Sequence, residues 1–473
     1  MNLRGVTMNW YEKANARREE LVVELQQLIQ IESILDEENA TEEEPFGKGP
    51  KEALDFMLAK GEAAGMTTKN VDHMAGHIEM GQGEDILGIL CHVDVVPAGD
   101  VSTWSVPPFE GRIVDGNIVA RGSIDDKGPT MAAWMAMKLI QAEGIELNKR
   151  VRMIIGTDEE SGFRCVDRYF EKEEMPSIGF APDADFPLIN AEKGIADIVF
   201  MQKTKRAAEE QLISFHAGHR TNMVPDKAVA IVQGVDAAFT TAFEQFTATE
   251  KVVGSIEANG DTYTVTVNGK SAHAMEPHKG VNAAVILAKF LRTQLDESTG
   301  KTFAQFMTTL FDQDHYGQSL QFNFEDEMSG PTTLNPGIVT FDENGAVIRV
   351  SMRYSVTYPF EEKLTIVQQE LAATNFTLDI VGNSKPHYVP EDDELVATLL
   401  SIYRERTGDL SKPLSTGGGT YARVMKKGVA FGMLFPGEPE LAHQADEFVN
   451  IENLVKATAI YAEAIVKLAS NGN

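Results

Sequence analysis

Apolar residues recur at helical spacing between residues 8 and 31, where Leu21, Val22, Leu25, Leu28 and Ile29 share a face, so this segment predicts an amphipathic helix. Residues 51–65 predict a second helix that stops at Gly65. Two strand-like runs follow, 75–80 and 85–92. Residues 127–144, KGPTMAAWMAMKLIQAEG, predict a buried helix with a glycine stop, in which Met131, Trp134, Met135 and Met137 are core residues. Residues 151–157 and 178–181 are apolar, β-rich runs. Strands alternating with helices imply an α/β layer structure on a mostly parallel sheet.

From about Ile195 the pattern changes to paired strands, 195–202, 211–215, 228–234, 252–257 and 261–268, with helices between and after them. A hairpin turns at Asn344 and Gly345. This middle region predicts an α+β domain on antiparallel sheet. Near Lys385 the α/β texture resumes, with helices over 394–406 and 451–468. The simplest account is one α/β domain made from both ends of the chain, 1–191 and 385–473, with a second domain, 192–384, inserted into it.

The 473 residues exceed one ordinary core and fit two domains. No run approaches the eighteen apolar residues of a membrane span, and the N-terminus lacks a secretory apolar core. Met8 reads as a natural start, with residues 1–7 a short extension. Cys91 and Cys165 make no disulfide framework, which points to the cytoplasm. The net charge of −29 argues against nucleic acid or an anionic membrane as partner. Part of that charge, the six acids within 36–45, reads as a solvated loop.

The rest of the acid sits where chemistry happens. His92 and Asp94 lie two apart at the C-terminal end of a strand, so they face one side, where open α/β sheets bind ligands. On that pattern alone a structural histidine is the commoner outcome. Asp125 and Asp126 open the helix at Lys127, where an N-cap is the bland alternative. Asp158, Glu159 and Glu160 end a buried strand, and three adjacent acids cannot all be buried without a cation or protons. Asp183 and Asp185 end another strand, and His443 precedes the last helix. Histidine and carboxylate donors without thiolate suit Zn²⁺ or Mn²⁺ in a hydrolytic site. Two metals need a shared carboxylate, and one spare glutamate could move the proton of an activated water.

The segments CHVDVVPAG, RGSIDDKGP, GTDEESG, PDADFP and LAHQADE, in this order, resemble the motif set of the M20 family of di-metal peptidases, and within it the PepV-type dipeptidase branch. The resemblance implies a phosphorylase/hydrolase-like catalytic domain with the inserted domain as a lid. It implies two divalent ions per chain, zinc first and manganese as the alternative. His92, Asp125 and Asp183 would hold one ion, and Asp125, Glu160 and His443 the other, with Asp125 bridging. Glu159 would be the general base, and Asp94 would orient and polarise His92. The family's cis peptide would fall between Asp125 and Asp126. An aspartate at position 183 leans toward dipeptidases and aminopeptidases, and away from glutamate-releasing carboxypeptidases.

In the inserted domain, NGKSAHAMEPHKGVNA resembles the lid motif whose histidine, here His273, would stabilise the oxyanion. Asn222 in TNMVPDKA and Arg353 in SMRYS would bind substrate, Arg353 through its carboxylate. In STGGGTYAR, a glycine turn opening a helix would offer Gly418, Gly419 and Thr420 to the same carboxylate. The implied activity is cleavage of unblocked dipeptides by a cytoplasmic monomer, whose long lid replaces a partner subunit. Two alternatives stand beside it: a deacylase of N-acyl amino acids or other amidohydrolase of the family, and an inactive metal-binding module. The intact Glu159 counts against the second. Structural Ca²⁺ fits His92 and His443 poorly.

Overall fold

The computed structural model describes residues 8–470, so the short extension expected ahead of Met8 lies outside the described residues. The chain forms two compact units. Among the described residues, the first comprises 8–190, 389–414 and 419–470, and the second 191–388 and 415–418.

The first unit is built on a mixed sheet. Its strands run in the order Thr67–Val71, Ala75–Gly81, Arg150–Gly156, Ile86–His92, Ile178–Ala181, Gly428–Ala430 and Ile189–Glu192. Parallel pairing is confined to the four strands from Arg150–Gly156 to Gly428–Ala430, and the flanking pairs are antiparallel. Every residue of Ile86–His92 is buried, as its unbroken apolar run requires of a central strand. Helix Lys127–Ala142 is buried on nearly all sides, including the four residues Met131, Trp134, Met135 and Met137. Helix Ile451–Ala469 packs into the same core with Leu454, Ile460, Tyr461 and Ile465.

The helix expected over 8–31 is divided into Trp10–Ala16 and Arg18–Ile29. Arg17, at φ −108° and ψ 15°, leaves the helical path, and its N–H turns back to the Ala14 carbonyl at 3.0 Å. The apolar stripe continues across the break, which is why the pattern does not reveal it.

The second unit carries an eight-stranded, wholly antiparallel sheet. Its order is Val253–Asn259, Thr262–Asn268, Lys227–Gln233, Leu212–Ala217, Thr333–Asp342, Gly345–Tyr354, Gly194–Gln202 and Phe376–Ser384. Helices Ala283–Gln294 and Thr299–Phe311 supply Phe290, Leu291, Phe303 and Met307 to its core. The hairpin closes one residue earlier than expected. Asp342 pairs with Gly345, so Glu343 and Asn344 form the loop and Gly345 takes the positive φ of 99°.

Residues 415–418, expected with the end segments, pack in the second unit instead. There the Thr416 carbonyl accepts the Lys193 N–H at 3.0 Å, and the Gly417 carbonyl accepts Arg353 Nη1 at 3.0 Å. A Cβ on Gly417 would lie 2.6 Å from Met275 Cβ, so only glycine permits this approach. Residues 385–388 also belong to the second unit.

Candidate metal centre

The parallel strands bring their C-terminal ends to one edge of the first unit's sheet, since His92 pairs with Gly156 and Ile89 with Phe180. Just beyond those ends lie His92, the turn 157–160 and Asp183. Asp125 arrives from the N-terminal approach to helix Lys127–Ala142, and its peptide bond to Asp126 is cis. His443 comes from the segment before strand Phe448–Asn450, with φ at +65°.

Two interlocking groups result. Ligand atoms of His92, Asp125 and Asp183 all lie within 4.8 Å of one another, and so do those of Asp125, Glu160 and His443. Asp125 belongs to both. His92 Nε2 is 3.1 Å from Asp125 Oδ1 and 3.6 Å from Asp183 Oδ2. His443 Nε2 is 3.0 Å from Asp125 Oδ2 and 3.0 Å from Glu160.

Neither carboxylate meets His92 Nε2 with hydrogen-bond geometry, and this fully buried nitrogen has no hydrogen-bond partner among the described residues. It lies between the two carboxylates without a hydrogen bond to either. The other ring nitrogen, Nδ1, lies 3.1 Å from the Asp94 carbonyl and donates there, which leaves Nε2 as the ligand atom. The donor set and the unspent nitrogen therefore fit a pair of divalent cations sharing Asp125.

Electrostatics follow from crowding. Burial alone would lower His92, but the crowding of the Asp125, Asp183 and Asp94 carboxylates around the ring outweighs it and holds the ring well above its usual pKa. Burial likewise opposes the charge of His443, yet Asp125 and Glu160 push it up to about 11. Burial raises Glu160 to about 7, with Asp125 adding to the effect. Asp183 is raised by burial and by Asp125. For Asp125, burial is overcome by His443 and His92, and the carboxyl is held well below the usual range. Glu159 is raised well above the usual range by burial; His92 opposes this, and Asp183, Glu160 and Asp125 add to it. A raised carboxyl pKa suits a group that must accept a proton and pass it on.

The supporting residues are partly ones the sequence did not disclose. Asp94 acts twice: its carbonyl and carboxylate face His92 Nδ1, at 3.1 and 3.4 Å, and Oδ2 accepts the Glu160 N–H at 3.1 Å. Asp126 is no N-cap by side chain; its Oδ2 accepts the His92 N–H at 3.0 Å and the Thr130 hydroxyl at 3.1 Å. Asp158 is buried against a guanidinium, with Arg164 Nε at 2.8 Å and Nη2 at 2.7 Å. Tyr421 sets its ring edge-on to His92, centroids 6.1 Å apart, and its hydroxyl lies 3.0 Å from Cys165 Sγ. Both thiols are buried, and burial pushes Cys165 up to about 12, so neither is a nucleophile at neutral pH. Separations such as 92 to 421 leave no local signal to read.

Within the second unit, His273 bridges to Met223, and Ala274 N–H donates to the Asn222 carbonyl at 2.9 Å. His273 Nδ1 accepts the Met275 N–H at 3.2 Å, so the neutral ring carries its proton on Nε2. Arg353 lies in strand Gly345–Tyr354, paired with Thr333, whose hydroxyl reaches the Ala274 carbonyl at 3.4 Å. His273, Asn222, Arg353 and Gly417 thus gather in one region of that unit. The helix expected after the glycine turn is absent: Tyr421–Val424 is a four-residue 3-10 turn. Thr420 caps it by accepting the Ala422 N–H at 3.1 Å, and the Gly418 N–H is spent on Thr416 Oγ1 at 3.0 Å. Gly419 and Thr420 fall in the first unit and Gly418 in the second.

This arrangement defines a metallopeptidase of the α/β class with a two-cation donor set. The chain belongs to Peptidase family M20/M25/M40, whose profile matches residues 88–467. It is 46% identical to the putative dipeptidase YtjP of Bacillus subtilis, over 98% of this chain and all of that one. It is 42% identical to a putative dipeptidase of Staphylococcus epidermidis, over 97% and 99% of the two chains. The fold is similar to that of human carnosine dipeptidase 1, with a TM-score of 0.55 at 13% identity, covering 97% of this chain and 98% of that one.

Proposed function

We propose that the protein is a metal-dependent dipeptidase that hydrolyses unblocked dipeptides. The observation that carries this reading is the shared Asp125 between two three-residue donor groups, with Glu159 beside them and in neither. The 46% identity to a putative dipeptidase over nearly the whole chain supports the substrate class.

His92, Asp125 and Asp183 would hold one ion and Asp125, Glu160 and His443 the other, with zinc the first choice and manganese the second. When bound, the ions supply Lewis acidity toward the scissile carbonyl and toward the attacking water. Glu159 takes the proton of that water and returns it to the leaving amine. Asp94 keeps the His92 lone pair directed and anchors the Glu160 backbone. The same reading gives His273 of the second unit the role of oxyanion donor through Nε2–H and Arg353 and Asn222 that of substrate binding, and Gly418, Gly419 and Thr420 would meet the substrate carboxylate. Arg353 as a carboxylate anchor makes chain length the specificity test. The protein works as a monomer in the cytoplasm. Among the described residues no helix is long and apolar enough to cross a membrane.

The test is hydrolysis by chelator-stripped protein with Zn²⁺, Mn²⁺ or nothing added back. The substrates are an unblocked dipeptide, its N-acetyl form and the matching tripeptide. Ion-dependent cleavage of the dipeptide alone is the expected result. Cleavage of only the acetylated form would move the protein to the deacylases.

A further inference from the structure

Glu447 is fully buried, four residues after His443, and takes no part in either donor group. Its bonds reach one place. Oε1 accepts the backbone N–H of Ile124 at 3.0 Å and of Asp125 at 3.3 Å. Oε2 pairs with Arg121, itself buried and stacked 5.3 Å from the Trp104 ring. The Glu447 carbonyl accepts the Ala120 N–H at 2.9 Å. Next to it, Asp446 Oδ1 accepts the Ser105 N–H at 2.7 Å and its hydroxyl at 2.9 Å. Strand Phe448–Asn450 then pairs with Asn117–Val119 and continues the junction.

The segment bearing His443 and the segment bearing Asp125 are therefore joined by backbone pairing and, next to Asp125 itself, by the Glu447 side chain. Such a link is needed for a physical reason. His443 stands on an irregular segment, with its own φ at +65° and that of Asp446 at +57°, so no helix or strand fixes its direction. Burying one more carboxylate beside Asp125 is unfavourable, and a hydrophobic residue would fill the space at lower cost. Only an acceptor can satisfy the two N–H groups at Ile124 and Asp125 while leaving both oxygens of Asp125 for ligation.

We infer that Glu447 is a positioning residue which holds His443 in register with the shared carboxylate, and so sets the affinity of the Asp125–Glu160–His443 site rather than that of the His92 site. The inference rests on the two-ion reading above. The consequence is asymmetric. His92 itself is fixed by Asp94 and Asp126, through bonds that do not involve Glu447, and Asp125, common to both groups, meets Glu447 only through its backbone N–H, so His443 is the donor whose placement depends most on Glu447.

The test is calorimetric titration of stripped full-length protein with Zn²⁺ and with Mn²⁺, for wild type, Glu447→Ala and Glu447→Gln. Wild type should take up two ions per chain. Glu447→Ala should keep one ion within about threefold of its wild-type affinity and bind the other at least tenfold more weakly. Glu447→Gln keeps an oxygen for the two N–H groups and should recover part of the loss. It also carries the test if the alanine variant does not fold. Activity at saturating ion should fall in kcat with little change in KM, because substrate contacts are untouched. Two ions bound by both variants as in wild type would overturn the inference alone. Equal weakening of both ions, tracking a lowered Tm, would also overturn it, by making Glu447 a general support of the fold. A wild-type chain that binds fewer than two ions would overturn the two-ion reading and the inference with it.

Discussion

A carboxylate removed from water needs an opposite charge or a proton, and the adjacent acids 158–160 each meet that need differently. Asp158 takes a forked pair from Arg164, Glu160 shares the imidazole of His443, and Glu159 is left to accept a proton. Arg164→Ala should therefore cost about 2–3 kcal/mol in denaturant unfolding, because the buried Asp158 loses its charged donors. His77 supplies a second test at this scale. Burial, aided by Arg152, lowers its pKa to about 4, and its Nδ1 lies 2.6 Å from the Tyr169 hydroxyl. A base depressed in the folded state contributes fully above its unfolded pKa of about 6.5 and less as pH falls toward the folded value. Between pH 6.5 and 4 wild type should lose up to about 3 kcal/mol more stability than His77→Gln, measured by urea unfolding at each pH. The residue types at the centre were readable because histidines and acids ended apolar strands. The partners of Asp158 and Asp126, and the Tyr421 ring against His92, were not, since a side chain's direction depends on tertiary packing.

The strand ends do the positioning at the scale of elements. Gly156 closes Arg150–Gly156, and a Cβ there would lie 2.2 Å from the Tyr421 hydroxyl, whose ring abuts His92. Gly156→Ala should cost about 1–3 kcal/mol and lower kcat by displacing Tyr421 against His92. Thermal unfolding and steady-state kinetics would check both, and an unchanged kcat would separate Tyr421 from the site. Long periodic elements were legible: the helix at Lys127–Ala142 and the strands of the second unit lie close to where their patterns place them. Strands such as Gly428–Ala430, three residues long, carry no usable period. The break at Arg17 is a backbone event inside a continuous apolar stripe, so pattern alone passes over it.

For the whole molecule, every donor of the two groups comes from the first unit. Added Zn²⁺ should therefore raise the unfolding temperature of that unit and leave the second unit's transition in place. A free ion at 100 times its dissociation constant contributes about 2.7 kcal/mol per site, which scanning calorimetry would resolve. The two-part organisation showed in the sequence as a change from alternating to paired strands. The excursion of 415–418 into the second unit did not, because it depends on two backbone carbonyls and the missing side chain of Gly417. The central claim, a two-ion hydrolase with Glu159 as base, meets its most direct test in a titration of stripped protein with Zn²⁺, following dipeptide cleavage and bound metal together. Activity should reach its plateau at two ions per chain, and Glu159→Gln should take up two ions yet lose about 10²–10⁴-fold in kcat. Full activity without added ion, or a Glu159→Gln variant as active as wild type, would contradict the account.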